Sequence, residues 1–166
     1  MSAAYLYHDA FALFRERAGD TEMKHSRIQP LPRRIEDHQY KQMEAAFART
    51  GGLASRKTVE RLLHRHAQRP LIDSVGNIAD RSVLTFQWNT QTLIPLFQFN
   101  MTNMSLRVEV DRVVRELVAV FDDWDTALWF AQPNSWLQSI APVDAIQHDH
   151  EAVFQAARAD RFIAGI

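Results

Sequence analysis

The fold is decided by residues 121–146, FDDWDTALWFAQPNSWLQSIAPVDAI. This stretch holds three of the four Trp of the chain and two of its six Pro. Asp122 or Asp123 can cap a short helix, and Pro133 ends that helix because an interior proline lacks a backbone donor and clashes with the preceding turn. Pro142 suits the first position of the next helix. The stretch therefore predicts short helices packed together by large aromatic side chains.

Length and composition indicate a globular protein of one domain or two very small ones. The 166 residues include only 5 Gly, which argues against a turn-rich all-β fold. They include no Cys, which excludes disulfides, a thiolate nucleophile and a Cys-based zinc site. No apolar run reaches the roughly 18 residues of a membrane span, and no basic residue precedes the apolar N-terminus as it would in a signal peptide. We therefore expect no membrane segment and no secretion signal.

Sequence motifs of enzymes are missing. The chain has no glycine-rich phosphate loop, no dinucleotide fingerprint, no HExxH and no GxSxG. His148-Asp149-His150 is a poor metal site, because two His at i and i+2 diverge on a helix and no third ligand is suitably spaced. We expect no catalytic residue, no metal and no cofactor.

Charge is distributed unevenly along the chain. Residues 1–69 carry 13 Lys and Arg against 8 Asp and Glu, a net charge of +5. Residues 70–166 carry 6 against 12, a net charge of −6, and the two values give the formal charge of −1. A basic half and an acidic half suggest two different partners, one of them nucleic acid and the other a basic protein surface.

Residues 1–37 are predicted to form an N-terminal helix and a linker. The apolar residues of 3–17 recur at helical spacing, and residues 20–37 contain Pro30 and Pro32, which favour an extended path. This segment is interpreted as a dimerisation element or as a brace over the rest of the chain.

Residues 38–100 are predicted to form a helix-turn-helix-like region with a β-hairpin. Pro95 is expected to place its strand at the edge of the sheet, because proline cannot donate to the ladder. Helix, turn, helix and hairpin follow one another in the order of a winged helix-turn-helix. The predicted elements are helices over 38–49, 56–67 (capped by Ser55) and 71–80, and strands over 83–88 and 92–99.

The helix over 56–67, with Arg69 just beyond it, carries five Lys and Arg side chains against one acid, Glu60. Contacts to DNA are expected mainly through phosphates, because the helix over 71–80 carries Asp73 and Asp80, which repel phosphates. A solvated face of an amphipathic helix is the simpler interpretation of the same pattern. The candidate DNA-binding residues are Arg56, Lys57, Arg61, Arg65, Arg69 and Arg81.

Residues 101–166 are predicted to form an all-α domain. The longest helix of the chain is expected to begin at Ser105, with apolar residues at helical spacing as far as Phe121. A final helix is predicted over Glu151–Phe162, capped by Asp149 or His148, and an apolar tail follows it.

The aromatic stretch also carries a spaced pattern that resembles a known family. The pattern consists of Trp124, Trp129-Phe130, Pro133-Asn134, Leu137 and Pro142-x-Asp144, followed by an Ala-rich helix. It resembles the toxin-binding domain of Xre/MbcA/ParS-type antitoxins, and Pro95-Leu96-Phe97-Gln98-Phe99 resembles the segment that leads into that domain. The resemblance runs from about Leu93 to the C-terminus. It implies a cytoplasmic protein that binds a toxin and is not an enzyme.

What the resemblance implies extends to the partner and the interface. Partner toxins of that family often carry a RES domain that degrades NAD, the antitoxin blocks access to its active site, and the family usually forms homodimers. Burial in a packed core is the simpler interpretation of each Trp. Carried over by position, the interface comprises Arg158, Arg161, Phe162 and Ile166, supported by Trp124, Trp129 and Trp136.

The sequence therefore predicts an antitoxin-like protein that neutralises a partner toxin and can repress its own operon by binding operator DNA. Two alternatives stay open. One is a DNA-binding regulator without a toxin partner, which the charge of +5 in the front half favours. The other is a non-enzymatic scaffold with a degenerate helix-turn-helix, which the acidic residues of 71–80 favour.

Overall fold

The structure is a computed structural model that describes residues 33–66 and 82–165. These residues form a mainly helical fold with one small antiparallel sheet, which confirms the predicted fold class of mainly α with a β-hairpin. The α-helices are α1 (Arg33–Ala48), α2 (Arg56–Arg65), α3 (Val108–Leu117), α4 (Asp123–Ala131), α5 (Pro142–Ala145) and α6 (His150–Ala164). The strands are β1 (Leu53–Ser55), β2 (Phe86–Trp88) and β3 (Gln91–Pro95), and 3₁₀ turns cover Leu96–Gln98 and Ser135–Leu137.

Several predicted elements fall outside the described residues. They are the helix over 3–17, most of the linker over 20–37 and the helix over 71–80. The side chains of Arg69, Arg81 and Ile166 fall outside as well. None of the helices among the residues that the structure describes is long and apolar enough to cross a membrane.

Helix boundaries follow the capping residues that the sequence predicts. A capping side chain accepts a hydrogen bond from a backbone N–H of the first turn, which otherwise has no partner inside the helix. The caps are Ser55 to the Thr58 N–H at 3.3 Å, Asp122 to the Asp125 N–H at 2.8 Å and Asp149 to the Ala152 N–H at 2.9 Å. Pro142 is the first residue of α5, and α4 ends two residues before Pro133. These five predictions are confirmed.

The sheet corrects the prediction for Pro95. Strands β2 and β3 form the expected hairpin, but the strand order is β1-β3-β2, so β3 lies in the centre and not at an edge. Pro95 is tolerated there because it is the last residue of β3, where it faces Leu53. The next residue, Leu96, donates its N–H to the Gly52 carbonyl at 2.9 Å, so the pairing continues past the proline. Strand β1 itself was not predicted.

Two helix predictions are wrong in their boundaries. Helix α1 begins at Arg33, five residues before the predicted start, and takes the end of the predicted linker. Helix α3 begins at Val108 and not at Ser105, because the Ser105 carbonyl accepts the Asn100 N–H at 2.8 Å and closes a turn there. At 10 residues α3 is also shorter than α1, which has 16.

The larger of two hydrophobic clusters joins the front and back parts of the described chain. Its fully buried members include Phe47 and Phe86 from the front part and Val113, Leu117 and Phe130 from the back part. Stacked and tilted rings run through it, with centroid distances of 4.3 Å for Tyr40–Trp88, 5.7 Å for Trp88–Trp124, 5.4 Å for Phe47–Phe97 and 4.9 Å for Phe97–Phe130. This core fixes α6 and the turn at 135–137, which carry the surface described next.

Candidate functional site

A buried carboxylate joins α4, the turn at 135–137 and α6. The Trp129 Nε1–H donates to Asp160 Oδ2 at 2.7 Å, and the Asn134 side-chain amide donates to the same oxygen at 2.9 Å. The Trp136 Nε1–H donates to Asp160 Oδ1 at 3.0 Å. Asp160 is only 4% exposed, so its oxygens depend on these donors in place of water. The three hydrogen bonds fix the position of two indole rings.

The loop from Asn134 to Ile140 is held in a strained conformation. Its ends form a bridge in which the Asn134 N–H donates to the Ile140 carbonyl at 3.1 Å. Gln138 and Ser139 both adopt the left-handed region, with φ of 55° and 65°. Each such non-glycine residue costs about 1–2 kcal/mol, and such strain is often found at functional sites. The loop presents Trp136 and Ile140 to solvent.

Further exposed apolar side chains lie at the end of α6. Trp136 is 58% exposed although its N–H is bonded to the buried Asp160, and Phe162 is 72% exposed. Ile163 follows Asp160 by three residues, so helical spacing places it on the side of α6 that faces Trp136. Arg158 precedes Phe162 by four residues and is also exposed. We call Trp136, Ile140, Arg158, Phe162 and Ile163 the C-terminal patch.

The composition around the C-terminal patch is typical of a protein interface. Residues 126–143 contain no Asp, Glu, Lys, Arg or His. The centres of protein–protein interfaces are depleted in charge and enriched in aromatic residues and Arg, and Trp and Arg recur among the residues that contribute most to affinity. The patch therefore has the chemistry of a binding surface.

The structure separates the predicted interface residues into two groups. Trp124 is half-buried and packs against the core, where its Nε1–H donates to Gln39 at 3.1 Å and its ring stacks on Trp88. Trp129 is half-buried, and Arg161 bonds Glu116 of α3 at 2.7 Å. Those three side chains hold elements together. The exposed residues of the predicted set are Trp136, Arg158, Phe162 and, despite its ion pair, Arg161.

A second surface is the basic face of α2. Lys57, Arg61, His64 and Arg65 recur at helical spacing and are all exposed, while Val59 and Leu63 are buried on the opposite side. Four of the six predicted DNA-binding residues lie on this helix. The Arg56 guanidinium is only partly exposed, and its buried Nε has no hydrogen-bond partner among the described residues.

Metal binding finds no support in the part of the chain that the structure describes. Within residues 33–66 and 82–165, no group of three or more His, Asp and Glu side chains could hold a metal ion. His148 and His150 lie around the start of α6, where Asp149 is the cap.

Sequence reasoning missed Asp160 and Asn134, which organise the site. A signal for Asp160 was present, since it follows Ala156 and Ala157 on the Ala-rich buried face of α6, where a charged residue needs a partner. Asn134 belongs to the sequence pattern that resembles the antitoxin family, but the sequence suggested no role for its side chain. Its side chain also accepts the Trp136 backbone N–H at 2.9 Å, which starts the 3₁₀ turn.

Comparisons with known proteins do not identify a family. No protein-family model matches the chain, and no curated protein and no solved structure matches it. The resemblance to antitoxins therefore rests on the sequence pattern, and a function has to be argued from the surfaces themselves.

Proposed function

We propose that this chain is an antitoxin-like protein that binds and neutralises a partner toxin through the C-terminal patch. The observation that carries the proposal is the Trp136 ring, which is 58% exposed yet fixed by a hydrogen bond to the buried Asp160. A large apolar ring that is already immobilised loses little conformational entropy when a partner covers it. A fixed, exposed ring of this kind has no function towards solvent, whereas a protein partner can bind it at a low cost in conformational entropy.

Three further features support a protein partner. Phe162 and Ile163 are further exposed apolar side chains in the last turns of α6, and the exposed Arg158 lies one turn before Phe162. The net charge of −6 over residues 70–166 favours rapid encounter with a basic partner. The resemblance to antitoxins suggests that this partner is a toxin, possessing a RES domain that degrades NAD, and that the chain works as a homodimer in the cytoplasm.

A growth-rescue assay tests this function. The toxin-like protein encoded by an adjacent reading frame is expressed with the wild-type chain or with a chain that lacks 162–166. We expect the wild type to restore growth and the shortened chain to fail. The shortened chain also loses Ala164, which packs partly against the core, so Phe162→Ser is the variant that changes the surface alone. Ile35→Ser on α1 is a matched control, because it removes an exposed apolar side chain elsewhere.

The control defines what would contradict the proposal. Phe162→Ser should lose rescue while its melting temperature stays close to that of Ile35→Ser, since the lost ring is 72% exposed. Full rescue by Phe162→Ser and by the shortened chain would show that neutralisation uses another surface.

A second function, DNA binding, is favoured by the basic face of α2. Lys57, Arg61 and Arg65 can neutralise phosphates together, which gives affinity with little dependence on base sequence. The order helix, strand, helix and hairpin is compatible with a winged helix-turn-helix. In this proposal the chain represses its own operon, and a homodimer would suit an operator with two half-sites. If α2 binds no DNA, its basic face is a solvated surface of a scaffold.

A further inference from the structure

A cleft of about 570 Å³ lies apart from both surfaces, where the end of α1, the segment after β3 and the start of α3 meet. Its volume falls within the range of roughly 300–1,000 Å³ that is usual for small-molecule sites. Its wall includes Leu106, and the exposed side chains of Met101 and Val108 line it as well, the latter with 77% of its surface exposed. The cleft therefore offers an apolar wall to a ligand.

The Arg107 guanidinium is fixed at the polar side of this cleft. Its Nε–H donates to Glu109 at 2.7 Å, and Nη1 donates to the Gln147 side chain at 3.0 Å and to the Phe97 carbonyl at 3.4 Å. Burial acts to raise the pKa of Glu109, but hydrogen bonds from its own backbone N–H and from Arg107 outweigh it and hold that pKa below 4.5. The Glu109 carboxylate is thus ionised at neutral pH and already engaged by Arg107.

The acceptors that line the cleft are used by the protein itself. The Gln147 side-chain oxygen and Glu109 accept from Arg107, and the Asn100 side-chain oxygen accepts the Thr102 N–H at 2.9 Å. The Asn100 amide N–H₂, in contrast, has no acceptor among residues 33–66 and 82–165. The Asn100 amide and the remaining guanidinium N–H groups of Arg107 are therefore donors available to a ligand that carries acceptors.

Arg49 provides a second positive charge at the cleft. It forms an ion pair with Asp144, but its side chain is largely exposed to solvent. Exposed ion pairs contribute little to stability, so the Arg49 side chain can exchange this partner for a ligand with little loss. Arg107 is preorganised by its hydrogen bonds, Arg49 is an exposed cation whose present partner is Asp144, and both line the cleft, which suits a carboxylate placed between them.

We propose that this cleft binds a small organic carboxylate with an apolar chain. The carboxylate accepts hydrogen bonds from Arg49, Arg107 and Asn100. The apolar chain lies against Met101, Leu106 and Val108. This proposal does not depend on the function of the C-terminal patch or of α2.

Three probes separate the parts of this proposal: octanoate, octanol and acetate. Binding to the full chain is followed by isothermal titration and by the NMR shift of the Met101 methyl group. We expect octanoate to bind and to shift that methyl group. We expect octanol, which lacks the carboxylate, and acetate, which lacks the apolar chain, each to bind at least about tenfold more weakly. Equal affinity for octanoate and octanol would overturn the role of the guanidinium groups, and so would a lack of octanoate binding.

Variants at the cleft give an independent test. Val108→Asp adds a carboxylate at the mouth, and its position at the first residue of α3 suits an acidic side chain, so the fold is kept. We expect it to reduce octanoate affinity about tenfold relative to Val108→Asn, which has a similar shape without the charge. Arg49→Gln should weaken octanoate about fivefold and leave octanol unchanged. Equal octanoate affinity in the Asp and Asn variants would place the ligand elsewhere.

Discussion

Replacing Asp160 removes the acceptor that holds the C-terminal patch in place. In Asp160→Ala the buried donors on Trp129 and Asn134 lose their partner, and the Trp136 N–H turns to water because that residue is exposed. A hydrogen bond to a charged group contributes about 1.5–3 kcal/mol, so two lost bonds predict a destabilisation of about 3–6 kcal/mol. Asp160→Asn keeps one acceptor oxygen for the two buried donors and should cost only about 1–2 kcal/mol.

Urea denaturation followed by circular dichroism measures these differences, and thermal melts check them. For a chain of this size, each kcal/mol lowers the melting temperature by about 2–4 °C, so Asp160→Ala should melt roughly 6–24 °C below the wild type. The order of stability should be wild type, then Asp160→Asn, then Asp160→Ala.

A double-mutant cycle decides whether the hydrogen bonds are the cause. Trp129→Phe keeps most of the ring and removes the donor, so it should cost at least about 1 kcal/mol less in the Asp160→Ala background than in the wild type. Trp124→Phe is the control, because its N–H bonds Gln39 and its cost should be additive with that of Asp160→Ala within about 0.5 kcal/mol. Additivity of the Trp129 cycle would refute the role assigned to Asp160.

Two further predictions concern Glu109 and the basic face of α2. The pKa of Glu109 is depressed in the folded state, so its contribution to stability is present above the ordinary value of 4.5 and disappears as pH falls through the folded pKa. Glu109→Gln should therefore melt below the wild type at pH 7, and the difference should shrink as the pH falls below 4.5, whereas a difference that stays constant as the pH falls would argue against the Arg107 contact. Arg61→Ala with Arg65→Ala should weaken duplex DNA binding about equally for all sequences and flatten the salt dependence by roughly 1–2 units of slope, whereas Lys41→Ala with Arg115→Ala should not. Absence of binding by the wild type in a low-salt mobility shift would leave α2 as a packing element.

Helix starts could be predicted from the sequence because the cause is local. Ser55, Asp122 and Asp149 each bond a backbone N–H three residues ahead, and Pro142 needs only its own fixed φ. The position of β3 could not be predicted in this way. It lies in the centre of the sheet because β1, nearly 40 residues earlier, pairs with it over only three residues, which is too short for an alternating pattern.

The candidate site could be predicted only in part, because contacts between residues distant in sequence also decide its structure. Phe162, Arg158 and Trp136 were identified, and the structure places all three in solvent. Trp124 and Trp129 could not be told apart from Trp136 by composition, since all three stand in the same aromatic stretch. The partners of their indole N–H groups are also distant in sequence: Gln39 lies 85 residues from Trp124, and Asp160 lies 31 and 24 residues from Trp129 and Trp136. Only the folded chain brings them together.

The affinity for the partner tests the central claim most directly. The purified chain is titrated with the toxin-like protein encoded beside it, using the wild type, Phe162→Ser combined with Trp136→Ser, and the control Ile35→Ser. We predict that the double variant binds at least about thirtyfold more weakly, since exposed aromatic anchors of this kind contribute about 2 kcal/mol or more, while the control keeps the wild-type affinity. An affinity of the double variant within twofold of the wild type would contradict the assignment of the C-terminal patch as the binding surface.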